Sequence, residues 1–194
     1  MRNKFLLIGS APYIEQWYMK YGKKVLTEGF KLCAMNNAWV VDATNLYLWM
    51  YPCDFFDTGH LIPDKKIRKW KGYKSDHRIP TKPYDYDKGK DSGTMMLNAL
   101  VHLLNISIGI GCDILVAGSD CVYKGKSHFY GKGSSDPLRQ GEHYLMREFN
   151  RIHKFYIDEG CRVYNVGRQK DSMLPFPSMN VNDALVKSKR VYGT

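Results

Sequence analysis

The sequence predicts an α/β chain: an open, mainly parallel sheet with helices on both faces. Three observations carry the prediction. Short continuous apolar runs such as FLLI at 5–8 and ILVA at 114–117 are what strands buried on both faces of a parallel sheet look like. Segments with apolar residues at helical spacing alternate with these runs, the order of βα units. The runs also stop at small or polar residues, GSAP, NN, YPCD and GSD, and in an open parallel sheet such endings converge on one cleft.

In chain order, Phe5 to Ile8 reads as the first strand, closed by Gly9-Ser10-Ala11-Pro12. A helix follows from Tyr13 to Leu26, with Ile14, Trp17, Tyr18, Tyr21 and Val25 as its apolar stripe. Lys31 to Met35 returns as a strand ending at Asn36-Asn37, and Leu46 to Met50 as another ending at Tyr51-Pro52-Cys53-Asp54. Between 58 and 90 the composition turns to Lys, Tyr, Pro and Asp, and no regular period survives. The expectation there is a surface excursion with a short helix over 64–70 and a mobile loop. Ser92 suits an N-cap, and Met95, Met96, Ala99, Leu100, Leu103 and Leu104 form a stripe after it. Ile114 to Ala117 is a strand. A Gly- and Ser-rich excursion over 121–141 leads to a helix at 138–159, with Tyr144, Leu145, Phe149, Ile152 and Phe155 as its apolar side. Cys161 to Val166 is the last strand, and the prolines of SMLPFPSM exclude a long helix in that run. No repeat or low-complexity tract interrupts the chain, so all 194 residues read as one domain.

Twenty-nine basic against nineteen acidic residues give a net charge of +10, which favours anionic partners without choosing among nucleotides, nucleic acid and acidic membranes. Five cysteines, odd in number and without C-x-x-C spacing, point to reduced, packed thiols rather than to a disulfide framework or a zinc site. Only four apolar residues precede Gly9, and no segment reaches the ~20 apolar residues of a membrane span. The expected setting is therefore cytoplasmic, without a transmembrane segment.

Neither a full G-x-G-x-x-G nor a G-x-x-x-x-G-K-[ST] occurs, which argues against a conventional dinucleotide site or P-loop. A Gly-Ser turn at a helix N-terminus can still turn backbone N–H groups toward a phosphate, and a tight turn without ligand is the plain alternative. Asn36 and Asn37 offer amides to a base or ribose, or simply turn the chain. The stretch from Lys65 to Arg78 interleaves Lys65, Lys66, Arg68, Lys69 and Lys71 with Trp70 and Tyr73. Cations with aromatic rings suit nucleic acid, yet no HTH, RRM or zinc-finger pattern accompanies them, and a solvated charged loop has the same composition. His102, inside a helix, reads as a packing or surface residue.

The order G-S-A-P, N-N, S-G-T before an apolar helix, then G-S-D and a Tyr/Gly/Ser/His loop resembles the bacterial sialyltransferases that use CMP-sialic acid. Those enzymes show G-N-G-P-S, C-N-Q, S-G and G-I-D. The arrangement is also similar to a wider group of Rossmann-like phage and prokaryotic proteins, including the 6-hydroxymethylpterin pyrophosphokinase-like group. The resemblance spans residues 4–166 and implies a Rossmann-like fold. It further implies that Gly9, Ser10 and Pro12 approach a nucleotide phosphate and that Asn36, with Asn37 beside it, holds the nucleotide. Ser92, Gly93 and Thr94 would line the cytidine end, and Gly118 and Asp120 the strand end opposite. Tyr123 stands one place after the first of the family's two leaving-group tyrosines, and His128 takes the place of the second. The family's general base lies in a Gly-His-Ser run. Here the run is Gly141-Glu142-His143, with one inserted residue and no serine, and Glu142 or Asp136 would orient His143.

The function these readings imply is nucleotide-dependent group transfer, with glycosyl transfer from a nucleotide-activated donor first. A Mg²⁺-dependent pyrophosphoryl transfer would use Asp120 as a metal ligand, whereas the sialyltransferases need no metal. A nucleotide- or nucleic-acid-binding phage accessory protein without catalysis is the reading from another class, and DNA is the partner that would join the basic stretch to the cleft.

Overall fold

The computed structural model describes residues 2–52, 55, 71–75, 78–79, 90–91, 95–121, 142–167 and 172–189. The expected helix over 64–70 and most of the excursion over 121–141 lie outside them.

Six parallel strands form one sheet. They are β1 (Asn3–Ile8), β2 (Lys31–Met35), β3 (Leu46–Pro52), β4 (Lys71–Ser75), β7 (Cys112–Ala117) and β8 (Arg162–Gly167), in the order β4-β3-β2-β1-β7-β8. A separate antiparallel pair joins β5 (Arg78–Ile79) to β6 (Lys90–Asp91). The helices are α1 (Ile14–Thr27), α2 (Met95–Asn105), α3 (Glu142–Asp158) and α4 (Val181–Lys189), and a 3-10 helix spans Asn36–Val41. The architecture is α/β and Rossmann-like, as the alternation of apolar runs and helical stripes predicts. No described helix is long and apolar enough to cross a membrane.

Successive side chains of a strand point to opposite faces, and here the alternation sorts the core in two. Phe5, Leu7, Cys33, Met35, Leu48, Met50, Ile114, Val116 and Val163 pack with α2 and α3. Leu6, Ile8, Leu32, Ala34, Trp49, Leu115, Ala117, Tyr164 and Val166 pack with α1 and α4. Burial on both sides is why these strands read as unbroken apolar runs rather than as alternating ones.

Three departures from the sequence expectations have physical causes. Lys71–Ser75, inside the basic stretch, is an edge strand paired in register with β3 from Leu48↔Lys71 to Pro52↔Ser75. A polar, lysine-bearing sequence is a common composition for an edge strand and carries no apolar run to announce it. Helix α2 is buried nearly all round, Leu97, Asn98 and Val101 included, because it lies against the sheet, α3 and β5 at once. Helix α3 buries Tyr156 completely, its hydroxyl donating to the Leu100 carbonyl of α2, while Phe155 is only partly covered.

After β8 the chain turns back along the sheet edge. The Asn165 N–H donates to Pro177 O at 3.0 Å, and the Met179 N–H to Asn165 O at 3.1 Å, a single parallel bridge beyond β8. Pro175 and Pro177 are tolerated there because an edge position needs few N–H donors. Leu174 and Phe176 are buried against the α2/α3 core. Helix α4, which no sequence pattern announced, starts at a side-chain cap, the Asp183 N–H donating to Asn180 Oδ1 at 2.9 Å.

At the N-terminal ends of β7 and β8, the fully buried Asp113 accepts two hydrogen bonds from Arg162, 2.6 and 2.7 Å long, and a longer one of 3.3 Å from Arg2. Arg162 also donates to the Lys187 carbonyl in the last turn of α4 at 2.9 Å. One carboxylate thereby holds the N-terminal end of the sheet to α4.

Candidate functional site

The strand order reverses at β1: the chain moves outward through β2 and β3 on one side, then resumes at β7 on the other. The C-terminal ends of β1 and β7 flank this switch point, the place where open α/β sheets take ligands. Gly9, Ser10, Ala11 and Pro12 leave β1 there, and Gly118, Ser119, Asp120 and Cys121 leave β7.

The two loops are pressed together. The Gly9 N–H donates to Ala117 O and the Ala11 N–H to Gly118 O, both at 2.9 Å. A Cβ on Gly9 would stand 2.0 Å from Ser119 Oγ and 2.3 Å from the Gly118 carbonyl. Gly118 has φ +70°, and a Cβ there would meet Gly9 O and Ile14 Cδ1 at 2.9 Å. The glycines are therefore required by the contact between loops, and the Gly9 and Ala11 amides are committed to β7 carbonyls. Any phosphate contact from the Gly-Ser turn falls to Ser10 and the first turn of α1.

Tyr13, which carried no role in the sequence reading, is the center of the site. It occupies the N-cap of α1 without capping it. Its hydroxyl reaches Asp120 Oδ2 at 2.5 Å and the Gly167 carbonyl, and accepts from the Gly118 N–H at 3.1 Å. One phenolic proton thus faces two acceptors. Burial, then the Asp120 charge and its hydrogen bond, push the phenol well above its ordinary pKa, against a smaller opposing effect of the Gly118 N–H. Tyr13 stays a neutral phenol and orients Asp120, which is 3% exposed. The sequence signal was a tyrosine where Ser, Thr, Asp or Asn would be expected to cap the helix. One turn on, Trp17 Nε1 donates to Val166 O at 3.1 Å, so the start of α1 is stapled to the end of β8.

Across the switch point, Asn36 follows β2 in the left-handed region with φ +49°, a conformation asparagine tolerates better than most residues. Its carbonyl accepts from Trp49 Nε1 at 2.9 Å, while its Oδ1 is buried with no hydrogen-bond partner among the described residues. Ser119 Oγ is in the same condition. Asn37 is buried in the first turn of the 3-10 helix. Cys121 is the second non-glycine residue with positive φ among the described residues, +55°. Both left-handed residues thus lie just past strand ends at this edge, where backbone strain recurs in functional sites.

His143 is exposed in the first turn of α3, and α3 leads from this edge of the sheet back to the start of β8. Among the expected site residues, the structure gathers Gly9, Ser10, Pro12, Asn36, Asn37, Gly118 and Asp120 at one edge. Ser92, Gly93, Thr94, Tyr123, His128, Lys65, Lys66, Arg68, Lys69 and Trp70 lie outside the described residues, as does Asp136; Lys71 opens β4. No cluster of three or more His, Cys, Asp or Glu side chains suited to a metal occurs among the described residues. His102 is half-buried in α2, and burial pulls its pKa down to about 4, which fits a packing role.

Comparison with protein-family models, with curated proteins and with solved structures gives no match.

Proposed function

We propose that the protein is a nucleotide-dependent transferase, with a glycosyl group carried on a nucleotide-activated donor as the transferred unit. The observation that supports the reading is the convergence of Ser10, Asn36, Ser119 and the Tyr13-oriented Asp120 on the switch point of a parallel sheet. Uncharged donors and acceptors with one fixed carboxylate suit a nucleoside, whose ribose hydroxyls donate to a carboxylate and whose base edge pairs with amides. In this reading His143 takes the proton of an acceptor hydroxyl. The hydroxyl oxygen attacks the anomeric carbon, and the bond to the nucleotide phosphate breaks, with Tyr123 and His128 donating to the departing oxygen. Membership in the sialyltransferase-like group is part of the proposal; sialic acid as the sugar is not.

A thermal-shift screen of nucleotides and nucleotide-sugars, with and without Mg²⁺, tests it. A ligand at 100 times its Kd adds about 2.7 kcal/mol of stability, so a binder raises Tm visibly, and the absence of any nucleotide shift overturns the proposal. His143→Ala is expected to keep the shift and lose turnover. Turnover that requires Mg²⁺ and disappears in Asp120→Asn would move the reaction to pyrophosphoryl transfer. A reactionless protein whose DNA affinity falls steeply with salt would be a binding module instead.

A further inference from the structure

Cys112 and Cys161 lie at the N-terminal ends of β7 and β8, the edge opposite the candidate site. Asp113 pairs with Arg162 across these parallel strands, and each cysteine is the residue immediately before its partner in that pair. Both are buried in the same core cluster, at 0% and 6% exposure, so they sit side by side on one face. Adjacent strands lie about 4.8 Å apart, inside the range of about 4.4–6.8 Å that a disulfide spans between Cα atoms.

We propose that Cys112 and Cys161 are a peroxide-reactive dithiol that closes reversibly to a disulfide. The chemistry balances with a hydroperoxide as oxidant. With hydrogen peroxide, the Cys161 thiolate attacks one oxygen, the O–O bond breaks, and Cys161 becomes a sulfenic acid while the departing hydroxide takes a proton from solvent and leaves as water. The Cys112 sulfur then attacks the Cys161 sulfur, the S–O bond breaks, and the sulfenic hydroxyl leaves as a second water with the proton of the Cys112 thiol. Two thiols lose two electrons and one peroxide gains them.

The surroundings favor Cys161 as the attacking sulfur. Cys112 beside it and the Arg2 guanidinium lower its pKa against the burial that raises it, and its thiol donates to the Glu159 carbonyl at 3.7 Å. Arg2 is held at this corner by hydrogen bonds to the Cys112 and Gly160 carbonyls. The neighboring Cys161, followed by burial, pushes Cys112 upward. Burial pushes Cys33 and Cys121 upward too, and their thiols donate to the backbone carbonyls of Lys31 and Ser119. Cys161 is also the less buried of the pair.

The test treats the folded, reduced protein with excess hydrogen peroxide, blocks the remaining thiols with an alkylating agent, and maps the peptides by mass spectrometry. The expected result is a loss of about 2 Da, a cross-link joining the Cys112 and Cys161 peptides, and its reversal by dithiothreitol. The oxidized protein should also melt at a higher Tm than the reduced one. Cys112→Ser should leave Cys161 as a trapped sulfenic acid without the cross-link. Full alkylation of both thiols after unfolding the peroxide-treated protein would overturn the proposal, and so would a cross-link through Cys33 or Cys121. The wild-type peptide map decides even if a serine variant fails to fold.

Discussion

At the scale of single residues, the candidate site rests on two positions, one sensitive to removing an atom and the other to adding one. Tyr13→Phe keeps the ring and removes the hydroxyl that meets Asp120, Gly118 and Gly167. Buried polar groups that lose a partner typically cost about 1–3 kcal/mol. Urea denaturation should show a loss of that size, together with weaker nucleotide shifts if Asp120 holds the ligand. Gly9→Ala adds one methyl where Ser119 Oγ and the Gly118 carbonyl already stand. Overpacking of this kind costs about 1–3 kcal/mol. Because the second obstacle is backbone, adding Ser119→Ala should restore little of the loss; full restoration in the double variant would show that the loops give way instead.

At the scale of elements, α2 is the helix whose environment most constrains it. Its His102 is partly buried among apolar neighbors and holds its proton only below about pH 4 when folded, against 6.5 for an unperturbed imidazole. Between those values the unfolded chain binds a proton that the folded one does not, so stability is full above pH 6.5 and falls as pH drops toward 4. The loss from this side chain is on the order of 2 kcal/mol. His153, also lowered by burial, acts in the same direction. Denaturation midpoints taken across this window should fall less steeply in His102→Gln than in the wild type, and an unchanged slope would remove His102 from the account. The elements also divide by how well their residues announce them. FLLI and ILVA were legible because burial on two faces selects continuous apolar residues. β4 was hidden because an edge strand has one neighbor and a lysine-rich sequence satisfies it. α4 was hidden because nine residues give too few turns for a period to stand out, and its start depends on the Asn180 cap rather than on a stripe.

At the scale of the molecule, the sheet is held at both ends by unlike devices. The C-terminal edge is a set of hydrogen bonds around the neutral phenol of Tyr13, one of them to the Asp120 carboxylate, and the N-terminal edge an ion-pair cluster of Asp113 with Arg162 and Arg2. Asp113→Ala would leave the Arg162 guanidinium, 12% exposed, without its carboxylate partner. Breaking a buried pair from one side typically costs about 3–5 kcal/mol. Chemical denaturation should register that loss, while Asp113→Asn, which keeps an acceptor, should lose less. The sequence located the C-terminal edge because strand endings are short and local: GSAP, NN and GSD each stand next to the run they close. The Tyr13–Asp120 contact bridges 107 positions and the Asp113–Arg162 pair 49, and no local period encodes a partner at such a distance.

The indole hydrogen bonds give this protein a built-in optical gauge. Trp17 points its N–H at the Val166 carbonyl near the end of β8, and Trp49 points its own at the carbonyl of Asn36 just past β2, so two emitting side chains bracket the switch point from either side. Indole emission responds to its hydrogen-bond acceptor. A ligand that moves Asn36 would therefore change the color of Trp49 fluorescence, and one that shifts the first turn of α1 would change that of Trp17. Titrations of variants that keep only Trp17 or only Trp49 of the four tryptophans, the others replaced by Phe, tell from which flank of the sheet a nucleotide is gripped, without any attached dye.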